Sequence, residues 1–175
     1  SFRIDDGPIP VRYTRWQSAS PDGARLAFTA AGRVYVMDLP GGAPRRLTTD
    51  DAHFEYAPSW SPDGRTVAYT TVGQSGLGHV MAAAVAGGAP RQVSREIGEY
   101  AHTTWSPDGR EILAVRGSGA TVRHRSMAHN PWYDAVVFPA AGGVGERIVR
   151  IEGATLPTRT QFARPTFGPD GRIYF

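Results

Sequence analysis

The fold of this chain is decided by the stretch Trp60-Ser61-Pro62-Asp63-Gly64-Arg65-Thr66-Val67-Ala68-Tyr69. Proline fixes φ at the second position of a type I turn, aspartate bonds to nearby backbone, and glycine accepts a positive φ. Short apolar runs lie on both sides of this turn, one ending at Trp60 and one beginning at Val67. A turn between two such runs predicts a β-hairpin.

The turn is repeated along the chain. The prolines of its four copies are 41, 45 and 62 residues apart, and repeat units of about 40–45 residues with four strands are typical of propeller blades. A double glycine follows each of the first three turns, so two landmarks recur in register. This favours a propeller over unrelated hairpins in a β-sandwich. The turn prolines are Pro21, Pro62, Pro107 and Pro169, and the double glycines begin at Gly41, Gly87 and Gly142.

We therefore predict an all-β fold, a β-propeller of four-stranded antiparallel blades with about three complete blades plus partial ones. Because Phe175 falls inside the second strand of a fourth unit, we expect the 175 residues to be one part of a larger propeller. The predicted parts are a lead-in at 1–13, blades at about 14–50, 54–95 and 100–152, and an incomplete fourth blade at 160–175.

Composition excludes several classes of function. All 19 basic residues are arginines and the net charge of +3 is spread along the chain, so we predict no nucleic-acid partner. Cysteine is absent, which excludes disulfides and thiolate metal sites. No apolar run reaches the roughly 18 residues of a membrane helix, so we predict no membrane span.

Variation in loop length predicts which face is functional. Strands alternate in direction, so the Pro-Asp-Gly and Gly-Gly turns share one face. The extra residues of the third blade lie on the other face, in the insertion Arg116 to Asp134 and in Glu152 to Gln161. Long loops on a rigid scaffold carry binding residues, and arginine and aromatic residues are enriched in binding hot spots. The candidate binding residues are Arg123, His124, Arg125, His129, Trp132 and Tyr133.

An alternative interpretation of this insertion is structural. In that case it is a solvated loop whose Trp132 and Tyr133 pack back onto the sheet.

No catalytic motif is present in the sequence. His53 with Glu55 and His102 near Glu99 occupy equivalent links between blades and could face each other near the channel. A metal site needs at least three converging ligands, so capping or rim histidines are the favoured interpretation. A nucleophile elbow, a phosphate loop and a His-x-His pair are all missing. We predict no catalytic residue, metal ligand or cofactor within these residues.

The sequence resembles a known repeat family. Trp60 to Arg65, Val67 to Tyr69 and Gly87 to Arg91 are similar to the TolB-like propeller repeat. That repeat belongs to a WD-like family found in the periplasmic protein TolB, tricorn-type proteases and prolyl-oligopeptidase relatives. The resemblance implies a propeller, and its members differ in activity.

A narrower resemblance concerns the whole protein. Arg33 to Gly42, Tyr56 to Gly64 and Arg164 to Phe175 look like the N-terminal propeller of bacterial secreted amidohydrolases. This implies a segment of a larger exported, metal-dependent amidohydrolase, periplasmic or secreted, that binds or gates substrate or packs on a C-terminal catalytic domain. A metal would then be held in that domain. The alternative is a non-enzymatic, TolB-like periplasmic scaffold with a protein or peptide ligand.

Overall fold

The computed structural model describes residues 13–119, 132–152 and 164–175. The described residues form fourteen β-strands, and none of them lies in a helix. The strands are β1 (Arg15–Ala19), β2 (Arg25–Ala30), β3 (Arg33–Asp38), β4 (Arg45–Arg46), β5 (Phe54–Trp60), β6 (Thr66–Val72), β7 (Val80–Ala84), β8 (Arg91–Gln92), β9 (Tyr100–Trp105), β10 (Glu111–Gly117), β11 (Trp132–Pro139), β12 (Glu146–Glu152), β13 (Thr166–Phe167) and β14 (Ile173–Tyr174).

The strands form successive antiparallel sheets that follow chain order. β1 to β4, β5 to β8 and β9 to β12 each make a four-stranded sheet, and β13 pairs with β14 in a two-stranded one. A four-stranded antiparallel meander repeated along the chain is the blade arrangement of a propeller. The predicted fold class, an all-β partial propeller with about three blades, is confirmed.

The repeated turn is stabilised by its own side chains. Ser61 Oγ donates a hydrogen bond to Asp63 Oδ1 at 2.6 Å, and that oxygen accepts the backbone N–H of Arg65 at 3.0 Å. Ser61 Oγ also accepts the N–H of Thr66 at 2.9 Å. Gly64 closes the turn with φ of 66°, where a side chain would be strained. The predicted turn chemistry is therefore present.

Two other turns repeat these contacts, and the fourth lacks the two that a serine hydroxyl makes. The hydrogen bond from the serine hydroxyl lowers the pKa of the turn aspartate in each of the first three copies. In the fourth copy Gly168 replaces the serine, and Asp170 Oδ1 still accepts the N–H of Arg172 at 3.1 Å. The repeated serine–aspartate distances are 2.5 Å for Ser20 and Asp22 and 2.7 Å for Ser106 and Asp108.

The hydrophobic core lies between neighbouring blades. Val34 of β3 and Val67 of β6 are fully buried in one cluster, between the first and second sheets. Val80 of β7, Ile112 of β10 and Phe138 of β11 belong to a second cluster, between the second and third sheets. Each blade is therefore stabilised by its neighbours, as in other repeat proteins.

The tryptophan of the repeated motif joins one blade to the blade before it. Trp60 Nε1 donates a hydrogen bond to the Ser18 carbonyl at 2.9 Å, and Trp105 Nε1 donates to the Ser59 carbonyl at 3.1 Å. Phe167 holds the equivalent position before the fourth turn, and its side chain has no N–H to donate. These bonds connect the innermost strands of neighbouring blades, a role that the motif did not reveal.

The third blade departs from its predicted outline. β10 extends to Gly117 and β11 begins at Trp132, with Arg116 paired opposite Asp134 and Gly117 opposite Tyr133. The prediction that Arg116 and Asp134 lie in an inserted loop is therefore wrong. The ladder continues because their side chains form an ion pair across it. The connection is shorter, at 118–131, and 120–131 lie outside the described residues.

Candidate functional site

Each of the three innermost strands carries a residue in the left-handed backbone region. Trp16 in β1, Ala57 in β5 and His102 in β9 have φ of 49°, 53° and 52°. Each stands four residues before the serine of its turn. Non-glycine residues are uncommon in this region. Register shifts at the same places mark a β-bulge in each strand.

We call this fourth residue before each turn the bulge position. Arg164 holds it in the fourth unit, four residues before Gly168. A β-bulge changes the direction of a side chain relative to the alternation of a regular strand. The turns are nearly constant, yet the bulge position carries tryptophan, alanine, histidine and arginine. It therefore presents a different chemical group from each unit of a repeated scaffold.

All four bulge positions line one cleft of about 470 Å³, which we call the inner cleft. Its volume is within the range of small-ligand sites, about 300–1,000 Å³. The cleft lies along the innermost strands, which surround the centre of a propeller. Other residues that line it are Tyr56, Ser59, Glu99, Thr103, Gly117 and Tyr133.

The inner cleft reaches the face opposite the repeated turns. Glu99 precedes β9, Gly117 ends β10 and Tyr133 lies near the start of β11. Because antiparallel strands alternate in direction, these three positions share one end of the blade. That end carries the long connections that led us to predict a functional face there.

Two aromatic rings form one wall of the inner cleft. The rings of Trp16 and Tyr56 are 5.5 Å apart between centroids and tilted by 43°. Tyr56 donates its hydroxyl hydrogen to the Tyr100 carbonyl, and burial raises the pKa of Tyr56, so it stays a neutral phenol. Trp16 remains 46% exposed. An exposed indole on a fixed neighbouring ring suits an apolar or planar group of a ligand.

A histidine and an arginine supply polar chemistry to the same cleft. His102 Nε2 lies 3.2 Å from the Pro165 carbonyl, which can only accept, so Nε2 carries the hydrogen. Burial, together with the charge of Arg164, lowers the pKa of His102. The imidazole is therefore neutral at pH 7 and offers Nδ1 as an acceptor. Arg164 is exposed and contributes a guanidinium.

Hydroxyl groups link the second and third blades in the wall of the inner cleft. Thr103 Oγ1 donates to the Ala57 carbonyl at 2.9 Å, and Ser59 Oγ lies 2.8 Å from Thr103 Oγ1. Since Thr103 uses its hydrogen on the carbonyl, Ser59 is the donor of the second bond. These hydrogen bonds fix the position of β5 relative to β9.

The predicted binding residues are only partly described by the structure. Tyr133 is 6% exposed and lines the inner cleft. Trp132 lies in β11, where the guanidinium of Arg150 stacks 3.7 Å from its ring centroid. Binding by these two residues stays a prediction. The candidates that lie outside the described residues are Arg123, His124, Arg125 and His129.

A buried ion-pair cluster lies beside Trp132. The carboxylate of Asp134 is fully buried and contacts Arg150 Nε at 2.8 Å and Arg116 Nη2 at 3.2 Å. Burial alone would raise the pKa of Asp134, but hydrogen bonds from both arginines outweigh it and hold that pKa below its usual range. No sequence pattern predicted this cluster. It fixes the strand ends from which the 118–131 connection leaves.

Metal binding finds no support among the described residues. Across 13–119, 132–152 and 164–175, no three His, Asp or Glu side chains converge. His53 Nδ1 lies 2.7 Å from Asp50 Oδ2 at an exposed turn. Of His53 and His102, which we considered as a facing pair, only His102 lines the inner cleft.

Glu55 is a buried carboxylate that joins the first two blades. Its Oε2 accepts the backbone N–H of Val34 at 2.9 Å and the hydroxyl of Thr48 at 2.7 Å. Burial raises the pKa of Glu55, and these hydrogen bonds and the charges of Arg46 and Arg33 only partly offset it. Ionisation of Glu55 therefore costs folding free energy.

Replacing Glu55 by glutamine should remove a pH-dependent part of the stability. A carboxyl whose folded pKa is raised contributes stability below its unfolded pKa and loses it as pH rises through the folded pKa. The wild-type midpoint of urea denaturation should therefore fall, relative to Glu55→Gln, as pH rises from about 4.5 to 7.5. Glu146→Gln on exposed β12 is the control. A constant difference over this range would contradict the prediction.

Comparisons with known proteins agree on the repeat. The family model described as TolB beta propeller domain matches residues 15–131. An uncharacterized protein of Agrobacterium fabrum, Atu1656, is 28% identical over 159 residues, which cover 89% of this chain and 48% of that one. A putative tricorn protease homolog 2 of Streptomyces coelicolor is 30% identical over 182 residues, covering 94% of this chain and 15% of that one.

A solved structure supports the fold. The structure of a putative TolB from Agrobacterium tumefaciens superimposes with a TM-score of 0.72 at 20% identity, covering 95% of this chain and 58% of that one. The chain spans less than half the length of each of these two relatives. Among the described residues, no helix is long and apolar enough to cross a membrane.

Proposed function

The chain belongs to the TolB β-propeller family, and on that premise we propose that it is the ligand-binding propeller segment of a larger exported hydrolase. The observation that carries this proposal is the inner cleft, in which four bulge positions bring an indole, a methyl, an imidazole and a guanidinium together. These groups can bind and orient a ligand. No metal-ligand set accompanies them among the described residues.

The proposed chemistry of the parent protein is hydrolysis of an amide bond. A relative of this chain is named a tricorn protease homolog, and proteases and amidohydrolases both cleave amides. We propose a metal-dependent amidohydrolase, following the resemblance of Arg33 to Gly42 and Arg164 to Phe175 to secreted members. The metal would be held by a catalytic domain that packs on this propeller. The periplasm or the exterior of the cell is the proposed location.

A second candidate function is that of a non-enzymatic scaffold. The superposition on a putative TolB favours it, because that protein is also a propeller of this family. In this case the inner cleft would hold a protein or peptide ligand without turning it over.

Kinetics of the full-length protein test the hydrolase proposal. N-acetyl amino acids and blocked dipeptides should be hydrolysed, and a chelator should remove the activity until a divalent cation is restored. Trp16→Ala should raise KM by about tenfold and leave kcat within about twofold, since the indole binds ligand but takes no part in chemistry. Tyr13→Ala, at an 85% exposed ring outside the inner cleft, is the control.

The gene provides an independent test. A domain with a His-x-His motif in the same open reading frame would support the amidohydrolase. A full-length protein made only of propeller blades, with ligand binding and no amide hydrolysis, would instead establish the scaffold.

A further inference from the structure

We propose that the bulge position sets the ligand specificity of this propeller, and that Arg164 and His102 there select a ligand in which a carboxylate accompanies an apolar group bound by Trp16. The inference rests on one part of the proposed function, that the inner cleft is the ligand site. It does not depend on the hydrolase.

The backbone at the bulge position is the first support. Trp16, Ala57 and His102 are the non-glycine residues of the innermost strands with positive φ among the described residues. Such a conformation costs folding free energy, and it persists only where the surrounding structure enforces it. Its recurrence in three blades, always four residues before the turn, directs three side chains toward one cleft. A regular strand has negative φ at every residue and would not carry this strain.

The identity of the residues is the second support. Ala57, on the blade between Trp16 and His102, contributes only a methyl group and leaves the middle of the inner cleft open. The two ends of the cleft differ in character, with an aromatic wall at the first blade and polar groups at the third and fourth. A ligand that fills it would place an apolar group on Trp16 and a polar group toward Arg164.

The charge at the polar end is the third support. Among the described residues, the ion pairs of the structure do not include the Arg164 guanidinium, and we propose that its fork of N–H donors binds the ligand carboxylate. Arginine binds carboxylates with two parallel hydrogen bonds. His102 Nδ1 can accept an N–H of the same ligand, while its Nε2–H is held by Pro165. Glu99 also lines the cleft, so a ligand carboxylate would have to lie on the Arg164 side of it.

Three small probes test the inference by calorimetry on the full-length protein. They are acetyl-phenylalanyl-aspartate amide, acetyl-phenylalanyl-glycine with a free carboxylate, and uncharged acetyl-phenylalanyl-asparagine amide. An acidic probe should bind about tenfold or more tightly than the uncharged one, because hydrogen bonds between charged groups are the strong ones. Tighter binding of the aspartate amide would identify a side-chain carboxylate as the group recognised in the natural ligand. Tighter binding of the glycine probe would identify a terminal carboxylate.

Two substitutions separate the ends of the inner cleft. Arg164→Gln should remove most of the preference for acidic probes, whereas Arg95→Gln, at an exposed arginine away from the cleft, should preserve it. Trp16→Ala should weaken all three probes by about tenfold and keep the preference, since it removes apolar contact alone. Neither residue belongs to the buried core, so folding should be retained.

Several results would overturn the inference. They are equal affinity for all three probes, absence of binding by any probe at millimolar concentration, and an unchanged preference in Arg164→Gln. The hydrolase proposal is tested separately, by turnover. Turnover of acidic and uncharged amides with equal KM values in the wild type would reject carboxylate selection and retain the hydrolase, whereas acid-selective binding without turnover would do the reverse.

Discussion

Replacing Trp105 by alanine should lower the free energy of unfolding by about 3–5 kcal/mol, the usual cost of removing a large buried aromatic side chain. Trp105 is 9% exposed and belongs to the cluster between the second and third sheets. Its indole also donates to the Ser59 carbonyl, so the variant loses a bond between innermost strands as well as apolar contact. Urea denaturation of the full-length protein followed by circular dichroism measures the change.

Two variants separate the contributions of Trp105. Trp105→Phe keeps most of the ring but leaves the Ser59 carbonyl without its donor, and should cost about 1–3 kcal/mol. Trp16→Ala, at a 46% exposed indole, should cost within about 1 kcal/mol. If Trp105→Ala were as mild as Trp16→Ala, the account of blades joined by their motif tryptophans would be wrong.

Asp134→Ala should have the second large effect, a loss of about 2–4 kcal/mol of unfolding free energy. Removing one member of a buried ion pair costs about 3–5 kcal/mol when the remaining charge stays buried. The guanidiniums of Arg116 and Arg150 are 27% and 34% exposed, so water can compensate part of that loss. The same denaturation experiment measures it, and wild type should lose this advantage as acid protonates Asp134.

An exposed cluster of the same composition is the matched control. Asp51 lies 2.8 Å from Arg46 and 3.7 Å from Arg33, but its side chain is 78% exposed. Asp51→Ala should therefore change the unfolding free energy by no more than about 1 kcal/mol. Equal effects at Asp134 and Asp51 would show that burial of the third-blade cluster contributes nothing.

The architecture was predictable because its signals are local. The turn around Pro62 and the double glycine at Gly87 act through φ and hydrogen bonds within a few residues, so their spacing predicts the blades. The hydrogen bond from Trp105 to Ser59 joins residues 46 positions apart and has no local signature. The same is true of Asp134, whose two arginines are supplied by the neighbouring strands.

The inner cleft was harder to predict. Trp16, Ala57 and His102 share no chemical property, and their common feature is a backbone conformation that sequence patterns do not report. Alignment of the chain on its four turns would still have put them, with Arg164, at one position. The predicted functional face was derived from loop length, which indicates one end of the blades and carries no information on the residues of the innermost strands.

Photocrosslinking most directly tests the claim that the inner cleft holds the ligand. The full-length protein would be irradiated with acetyl-benzoylphenylalanyl-aspartate amide, and the crosslinked peptides identified by mass spectrometry. We predict attachment within 16–18, 56–59 and 101–104, and its loss in the presence of excess acetyl-phenylalanyl-aspartate amide. Attachment confined to the outer strands β4, β8 and β12, or to the face with the Ser-Pro-Asp-Gly turns, would contradict the claim.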